Sequence, residues 1–441
     1  MSLSYDYINA RLYLPEPDPD CLHYQLNPDL IRREPWWPHV DSAGWLDAAN
    51  LFPGALISAC SHWKDVLRQV SVFWTRLIIF VDDDPTPLSI LQSHLSLSRT
   101  HPLEINILRH SCHYDDPDPL ERSRVTAIMA LLRPHLPRCK VLRMELRHHT
   151  SLPHPHIDIH GVADQLEVLQ LEANDELERV ENGYGPDQML GSFNAAKLEI
   201  LTIRSNIFHD VFVVPKQQLA LLTDLTIYGG GETRDLSVRM VEPNLPPPPV
   251  DALENVYFEA INANVLSQFF RLRHNIIGFH ARFSSCDTAP LNTSSISGLT
   301  IEHMAAEQDI LDYLRAWDSP ECGRLVIYNC PSLTANILDS FCHPLDDHDG
   351  EWLCPYMSDL DIDCTHLSSR DIRRVVEARY EAHAVTGFVA SDDARFVVMS
   401  LKSLCVRHGA DKLCEDDEEW FKKHVEHFNW TSEESESSED V

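Results

Sequence analysis

The chain has 441 residues, with 36 lysines and arginines against 68 aspartates and glutamates, a net charge of −32 with histidine neutral. That excess of acid argues against nucleic acid and anionic membrane as partners and favours basic protein partners, or simply solubility. No stretch approaches the roughly 20 consecutive apolar residues of a membrane span. Met1-Ser-Leu-Ser-Tyr-Asp-Tyr7 has no basic start followed by an apolar block, so a soluble protein of cytoplasm or nucleus is expected. The 12 cysteines include no CxxC pair. Cys60, Cys139, Cys330 and Cys405 sit in or beside apolar positions and read as reduced core residues.

Residues 1–45 are rich in proline and tryptophan, and Pro15, Pro17, Pro19, Pro28, Pro35 and Pro38 forbid a long helix. From Ala55 to Val70 the pattern turns helical, with Leu56, Cys60, Trp63, Leu67 and Val70 on one face. Phe73-Trp74-Thr75 then leads into a strand, Leu88–Ser98 into a helix, and His101–Ile107 into a second strand. A helix over Glu121–Leu136 and a strand over Val141–Leu146 follow.

From Leu166 one outline returns: apolar, two free positions, apolar, one free position, apolar. The copies are Leu166–Leu171, Leu198–Ile203, Leu222–Ile227, Leu253–Phe258, Ile276–Ala281, Ile296–Ile301, Cys322–Ile327, Met357–Ile362 and, last, Leu401–Val406. The middle anchors, Leu169, Leu201, Leu225, Val256, Phe279, Leu299, Leu325, Leu360 and Leu404, are roughly 20 to 45 residues apart, mostly within the range of repeat architectures. In an extended backbone the last two anchors of each copy share a face, and the residues between and after them share the other. So short a strand cannot bury its apolar edge alone, and stacking the copies in parallel buries all of them together. The expected fold is α/β: a small helical module over 46–80, then a solenoid over 81–414 built as a curved parallel sheet with helices on its outer face.

Between the later copies, helices are expected over Asn264–Arg273 and Ala305–Trp317. Two more are expected after Thr334 and after Ser368, the latter with Asp371 as capping-box partner and carrying Ile372, Val375, Val376 and Arg379. Glu415–Phe428 is expected as a capping helix, in a segment bounded at 430. Residues 431–441 are expected as an acidic disordered tail, in which Ser432, Ser435 and Ser437 lie among acids as acidophilic kinases prefer.

Cys60, Trp63 and the Phe73-Trp74-Thr75 run resemble the second half of an F-box. Ser98-Arg99-Thr100-His101-Pro102-Leu103, Met357–Cys364 and Leu401–Val406 resemble the leucine-rich-repeat F-box proteins of the large fungal group. The family's opening Leu-Pro-x-Glu-Ile helix has no counterpart here. The resemblance implies a substrate-recognition subunit of a cullin-RING ubiquitin ligase, docked on a Skp-type adaptor through Leu56, Ile57, Cys60, Trp63, Leu67 and Trp74. Such a subunit would supply proximity and make no bonds of its own. A stand-alone repeat protein without adaptor docking is the alternative.

The chain has no GxSxG, Walker loop, GxGxxG or HExxH. His148, His149, His154, His156 and His160 suit a proline-bearing loop better than a metal site, and the Asp82–Asp84 and Asp115–Asp118 runs lack the glycine and distal glutamate of a calcium loop. No cofactor and no metal are expected. Target contacts are expected at the free positions of the repeats: Gln170, Glu172, Arg204, Tyr228, Tyr257, Glu259, Arg324, Tyr328, Asp359, Asp361 and Asp363. The last three suggest a face that turns acidic towards its C-terminal end, and hence a basic target there.

Overall fold

The computed structural model describes residues 61–82, 84–109, 118–153, 158–159, 161–173, 193–205, 221–229, 253–272, 278–288, 296–317, 323–345, 351–363, 367–386, 397–409 and 413–432. In chain order the strands are β1 (Arg76–Phe80), β2 (Leu103–Leu108), β3 (Cys139–Leu146), β4 (Gly161–Val162), β5 (Val168–Ala173), β6 (Phe193–Asn194), β7 (Ile200–Arg204) and β8 (Asp224–Tyr228). They continue with β9 (Asn255–Glu259), β10 (Phe279–Ser284), β11 (Ile296–Glu302), β12 (Arg324–Tyr328), β13 (Asp359–Asp363), β14 (Ser403–Gly409) and β15 (His427–Ser432). The helices are α1 (Ser61–Gln69), α2 (Leu88–Leu97), α3 (Glu121–Leu132), α4 (Ala263–Leu272), α5 (Glu307–Ala316), α6 (Ala335–Ser340), α7 (Ser369–Thr386) and α8 (Glu415–His424).

Among the described residues thirteen strands form one sheet in strict chain order, β1 and β15 at its edges, while β4 and β6 pair with each other. Every neighbouring pair is parallel. Parallel neighbours cannot be joined by tight hairpins, so each strand needs a crossover connection. The result is an open, solenoid-like α/β architecture.

The repeated outline sets the register. Leu77, Ile105, Leu142, Leu169, Leu201, Leu225, Val256, Ala281, Leu299, Leu325, Leu360 and Leu404 stand opposite one another along the sheet. None of them is more than 2 % exposed. Period-2 alternation puts the third anchors on the same side, and Ile79, Ile107, Leu171, Ile203, Ile227, Phe258, Ile301, Ile327, Ile362 and Val406 are all buried. Truncating one such leucine to alanine costs roughly 2–5 kcal/mol in a packed core. Near the middle the core is aromatic: the Phe258 ring stacks on Phe283 at 5.2 Å and meets Phe269 edge-on at 5.0 Å.

A second regularity lies just past the strands. Gly229, Ala260, Ser285, His303, Asn329 and His408 each follow the last outward residue of their repeat, and all have φ between 47° and 100°. Five of the six are not glycine, so left-handed backbone is held there against its ordinary cost of about 1–2 kcal/mol. Hydrogen bonds hold it. The amides of Gly229, Ala260, Ser285 and His303 donate to the carbonyls of Glu259, Ser284, Glu302 and Tyr328 on the next strand, at 3.0, 2.8, 3.1 and 3.3 Å. The turn thus extends the sheet ladder by one rung.

Several expectations change. The repeats begin earlier, because β1, β2 and β3 belong to the same sheet. The boundary at 80 therefore falls at the end of the first strand rather than before the solenoid. In β10 the core row takes Ala281 and Phe283, not Phe279 and Ala281. A slip of two residues keeps every side chain on its own face, so the alternation could not reveal it. Leu401–Val406 is not the last copy. Helix α8 stops at His424, and Val425, Phe428 and Trp430 supply the same outline in β15. Phe428 and Val425 fit a helical period as well as a strand period; packing on Phe421, whose ring stacks on Phe428 at 4.9 Å, chose the strand. Thr431 and Ser432 belong to that strand rather than to a tail. Thr334 does not cap α6 with its side chain; its hydroxyl donates instead to Glu307 Oε2 at 3.0 Å. The Ser368–Asp371 capping box does form, with Ser368 N to Asp371 Oδ2 at 3.2 Å and Asp371 N to Ser368 Oγ at 3.3 Å.

Arg379, on the inward face of α7, is fully buried. Its guanidinium donates to the carbonyls of Leu353, Cys354, Pro355, Met357 and Met399 at 2.9–3.3 Å. Burial pushes its pKa down to about 10. One side chain thereby ties the approach to β13 and the approach to β14 to the helix between them.

Candidate functional site

The face opposite the core is carried by the free positions of the repeats. Its central row runs Ile78, Asn106, Arg143, Gln170, Thr202, Thr226, Tyr257, Arg282, Thr300, Val326, Asp361, Cys405 and Asn429, each opposite the next. The row towards the C-terminal ends of the strands includes Arg204, Tyr228, Glu259, Ser284, Glu302 and Tyr328. Every expected target residue lies on this face, and the sheet brings them into contiguous rows.

The three tyrosines are not bare contact area. Arg204 lies over the Tyr228 ring at 5.9 Å, Arg282 over Tyr257 at 4.6 Å and Arg407 over Tyr328 at 4.8 Å. Tyr228 donates its hydroxyl to the carbonyl of Leu171. Tyr328 donates to Asp361 Oδ2 at 2.8 Å, and burial together with that carboxylate pushes its phenol up to about 12. Each aromatic ring is thus fixed by a hydroxyl bond, a guanidinium cap, or both.

Two carboxylates of the C-terminal half, Glu302 and Asp361, lie under arginines. Arg282 donates Nε and Nη2 to Glu302 Oε2 at 2.9 and 2.6 Å; the Glu302 side chain is 6 % exposed and the Arg282 side chain 48 %. Arg407 donates Nη2 to Asp361 Oδ2 at 3.0 Å, with exposures of 47 % and 11 % for Arg407 and Asp361. Asp363 meets His408 Nδ1 at 2.8 Å and Asp359 accepts from the Ser358 hydroxyl at 2.6 Å. Arg324, one row over, is exposed. The expectation of an outward acidic end is therefore corrected. Glu302 and Asp361 are buried with arginine outermost over each, while Asp359 and Asp363 stay half-buried beside Ser358 and His408.

The middle of the face differs. Glu172 has its pKa raised, first by burial and then by the charges of Glu145 and Glu259, with Arg143 pulling the other way. Glu259 is exposed and Gln170 half-buried. Between the two regions His280 shares a hydrogen bond with Thr300 Oγ1 at 2.8 Å, and burial, then Arg324 and Arg282, lower its pKa. Gly298 makes room for that imidazole: a Cβ there would overlap His280 Nδ1.

Of the expected adaptor residues, Leu56, Ile57 and Cys60 lie outside the described residues, and Trp63 lies in α1. Leu67 and Trp74 are corrected. They are 0 % and 3 % exposed and pack with Phe73 in a small core of their own. Trp74 donates Nε1 to the carbonyl of Leu67 at 2.8 Å and meets His94 edge-on at 4.8 Å. Both are used in fixing α1 to the first repeat.

Sequence reading missed Arg282 and Arg407. Arg282 fell outside the copy placed two residues early, and Arg407 lies one position past a copy cut at Val406. That position, just after the third anchor, is the one that supplied Glu172, Arg204 and Tyr228, so a consistent outline would have found Arg407. Among the described residues no group of three or more His, Cys, Asp or Glu could hold a metal ion, and no helix is long and apolar enough to cross a membrane. His154, His156 and His160 lie outside the described residues. Comparison with protein-family models, with curated proteins and with solved structures found no match in any of the three.

Proposed function

We propose that this chain is a protein-recognition solenoid of the leucine-rich-repeat kind that captures its target on the open face of the sheet. The observation carrying this reading is the row of Arg–Tyr stacks over β7–β14. Rigid aromatic and guanidinium groups are the side chains favoured at binding hot spots, and here they are fixed in place beforehand. Cys322–Cys330 supports the repeat assignment, since it follows the pattern L-x-x-L-x-L-x-x-N/C with Cys at both ends. The Cys330 thiol donates to the carbonyls of Tyr328 and Ile301 at 3.2 and 3.7 Å, bridging adjacent strands at that position. Arg282, Arg324 and Arg407, outermost on β10–β14, favour an extended target segment bearing carboxylates.

The F-box-like run around Cys60 to Thr75 gives this reading its specific form: a substrate-recognition subunit of a cullin-RING ligase in cytoplasm or nucleus. The burial of Leu67 and Trp74 within the chain's own core favours the second form, a stand-alone binding protein. Affinity purification of the full chain tests both. Target capture lost in an Arg282→Glu, Arg324→Glu, Arg407→Glu variant supports the face, and unchanged capture removes it. Co-purification of a Skp-type adaptor and a cullin selects the ligase form; their absence alongside a captured target selects the other.

A further inference from the structure

We infer that the chain's own acidic segment 433–441, Glu-Glu-Ser-Glu-Ser-Ser-Glu-Asp-Val, docks in cis on the arginine-presenting half of the face and competes there with the target. The inference rests on the reading of that face as the binding surface and adds its regulation.

Charge is the first reason. The segment carries five carboxylates and no basic residue. It belongs to a chain of net charge −32, so most of the molecule repels it. On β10–β14 two ion pairs put the cation outermost, with Arg282 and Arg407 about half exposed above Glu302 and Asp361. Arg324 is exposed beside them, and Asp359 and Asp363 are half-buried on Ser358 and His408. Arg282 commits Nε and Nη2 to Glu302, which leaves Nη1 for a further acceptor. A guanidinium already held on one edge loses little freedom on taking a second carboxylate.

Position is the second reason. The segment starts directly after Ser432, which stands opposite Gly409 at the end of β14, two residues past Arg407. Five strand steps separate β15 from β10. At about 4.8 Å per step that is roughly 24 Å. Arg282 also lies three to four positions back along the strands from Ser432, roughly 12 Å, which makes the direct span about 27 Å. Nine extended residues reach about 30 Å, enough to pass Arg407 and to end at Arg282 with Arg324 flanking the path. Beyond β10 the carboxylates of Glu259 and Glu172 stand in the way, so the segment is confined to the half that attracts it. A tether of this length supplies an effective concentration in the millimolar range, which offsets the repulsion from the rest of the chain.

The test uses the full-length chain and a fluorescent peptide of residues 433–441, with no target present. One protein is unaltered. The other has its segment neutralised by Glu433→Gln, Glu434→Gln, Glu436→Gln, Glu439→Gln and Asp440→Asn. The neutralised protein is expected to bind the peptide at least tenfold more tightly than the unaltered one, with binding weakening as salt rises. In the neutralised protein Arg324→Gln, at an exposed position, is expected to weaken the peptide several-fold without moving the melting temperature. Adding Arg282→Glu and Arg407→Glu is expected to abolish binding. Equal binding by the two proteins, or binding indifferent to Arg324→Gln, overturns the inference. So does a difference between the two proteins that disappears on dilution, which would assign the site to a second copy's segment. Because no target enters the assay, failure here leaves target capture to its own experiment.

Discussion

Glu172 and Glu302 occupy the same place in their repeats, the position just after the third anchor, on the same face of one sheet. Glu172 sits among Glu145 and Glu259, and its carboxyl is held above the ordinary range. Glu302 is more deeply buried, yet it accepts two donors from Arg282, whose other side stacks on Tyr257. One scaffold position yields an uncomfortable acid in the middle of the face and, further along, the hidden base beneath an outward-facing guanidinium. The lesson is that the sign of a solenoid face is set by which member of each ion pair is outermost, and a count of charged residues along the strands misses it.

Four measurements press on that contrast. The core beneath should not share it: Leu201→Ala and Leu325→Ala, one below each region, are each expected to cost roughly 2–5 kcal/mol in denaturant unfolding. A large difference between them would mean that the regions differ in packing as well as in charge. At the boundary, Gly298→Ala drives a methyl group into His280 and is expected to cost about 1–3 kcal/mol. It should also break the His280–Thr300 bond, visible as a shifted imidazole resonance. In the arginine region, Glu302→Gln keeps shape but removes the charge under Arg282, with an expected loss of about 1 kcal/mol and faster motion of the Arg282 side chain by NMR.

The smallest effect has the opposite sign. Glu172 holds its proton to higher pH in the folded chain than in the unfolded one, so folding stability from this group falls as pH rises through that window. Glu172→Gln removes the fall. It should therefore raise the melting temperature at pH 7 by roughly 1–2 °C and change nothing well below the ordinary carboxylate range. Destabilisation at pH 7 would show that Arg143 outweighs burial and the two like charges.

The two halves also differ in how legible they were. Glu172, Tyr228, Tyr257 and Tyr328 follow from the outline alone, because alternation along a strand fixes which face a side chain takes. Which residue lies on top does not follow. Arg282 and Arg407 act on Glu302 and Asp361, 20 and 46 residues away in sequence, and each pair meets only because parallel register sets one strand against another. The N-terminal helix shows the same limit. An apolar stripe over Leu56–Leu67 is equally consistent with docking on a partner and with packing on its own neighbour, and for Leu67 the nearby Phe73 and Trp74 decided it.

The sequence by itself determined the repeating strand, the face each of its residues takes and the capping box on α7, since these depend on neighbours within a few positions. The tertiary structure decided the register of β10, the strand at the C-terminal edge, the buried role of Leu67 and Trp74, and the outward sign of the face. Those depend on contacts between segments tens of residues apart, and on which of several locally acceptable arrangements buries the most apolar surface while leaving each buried charge a partner.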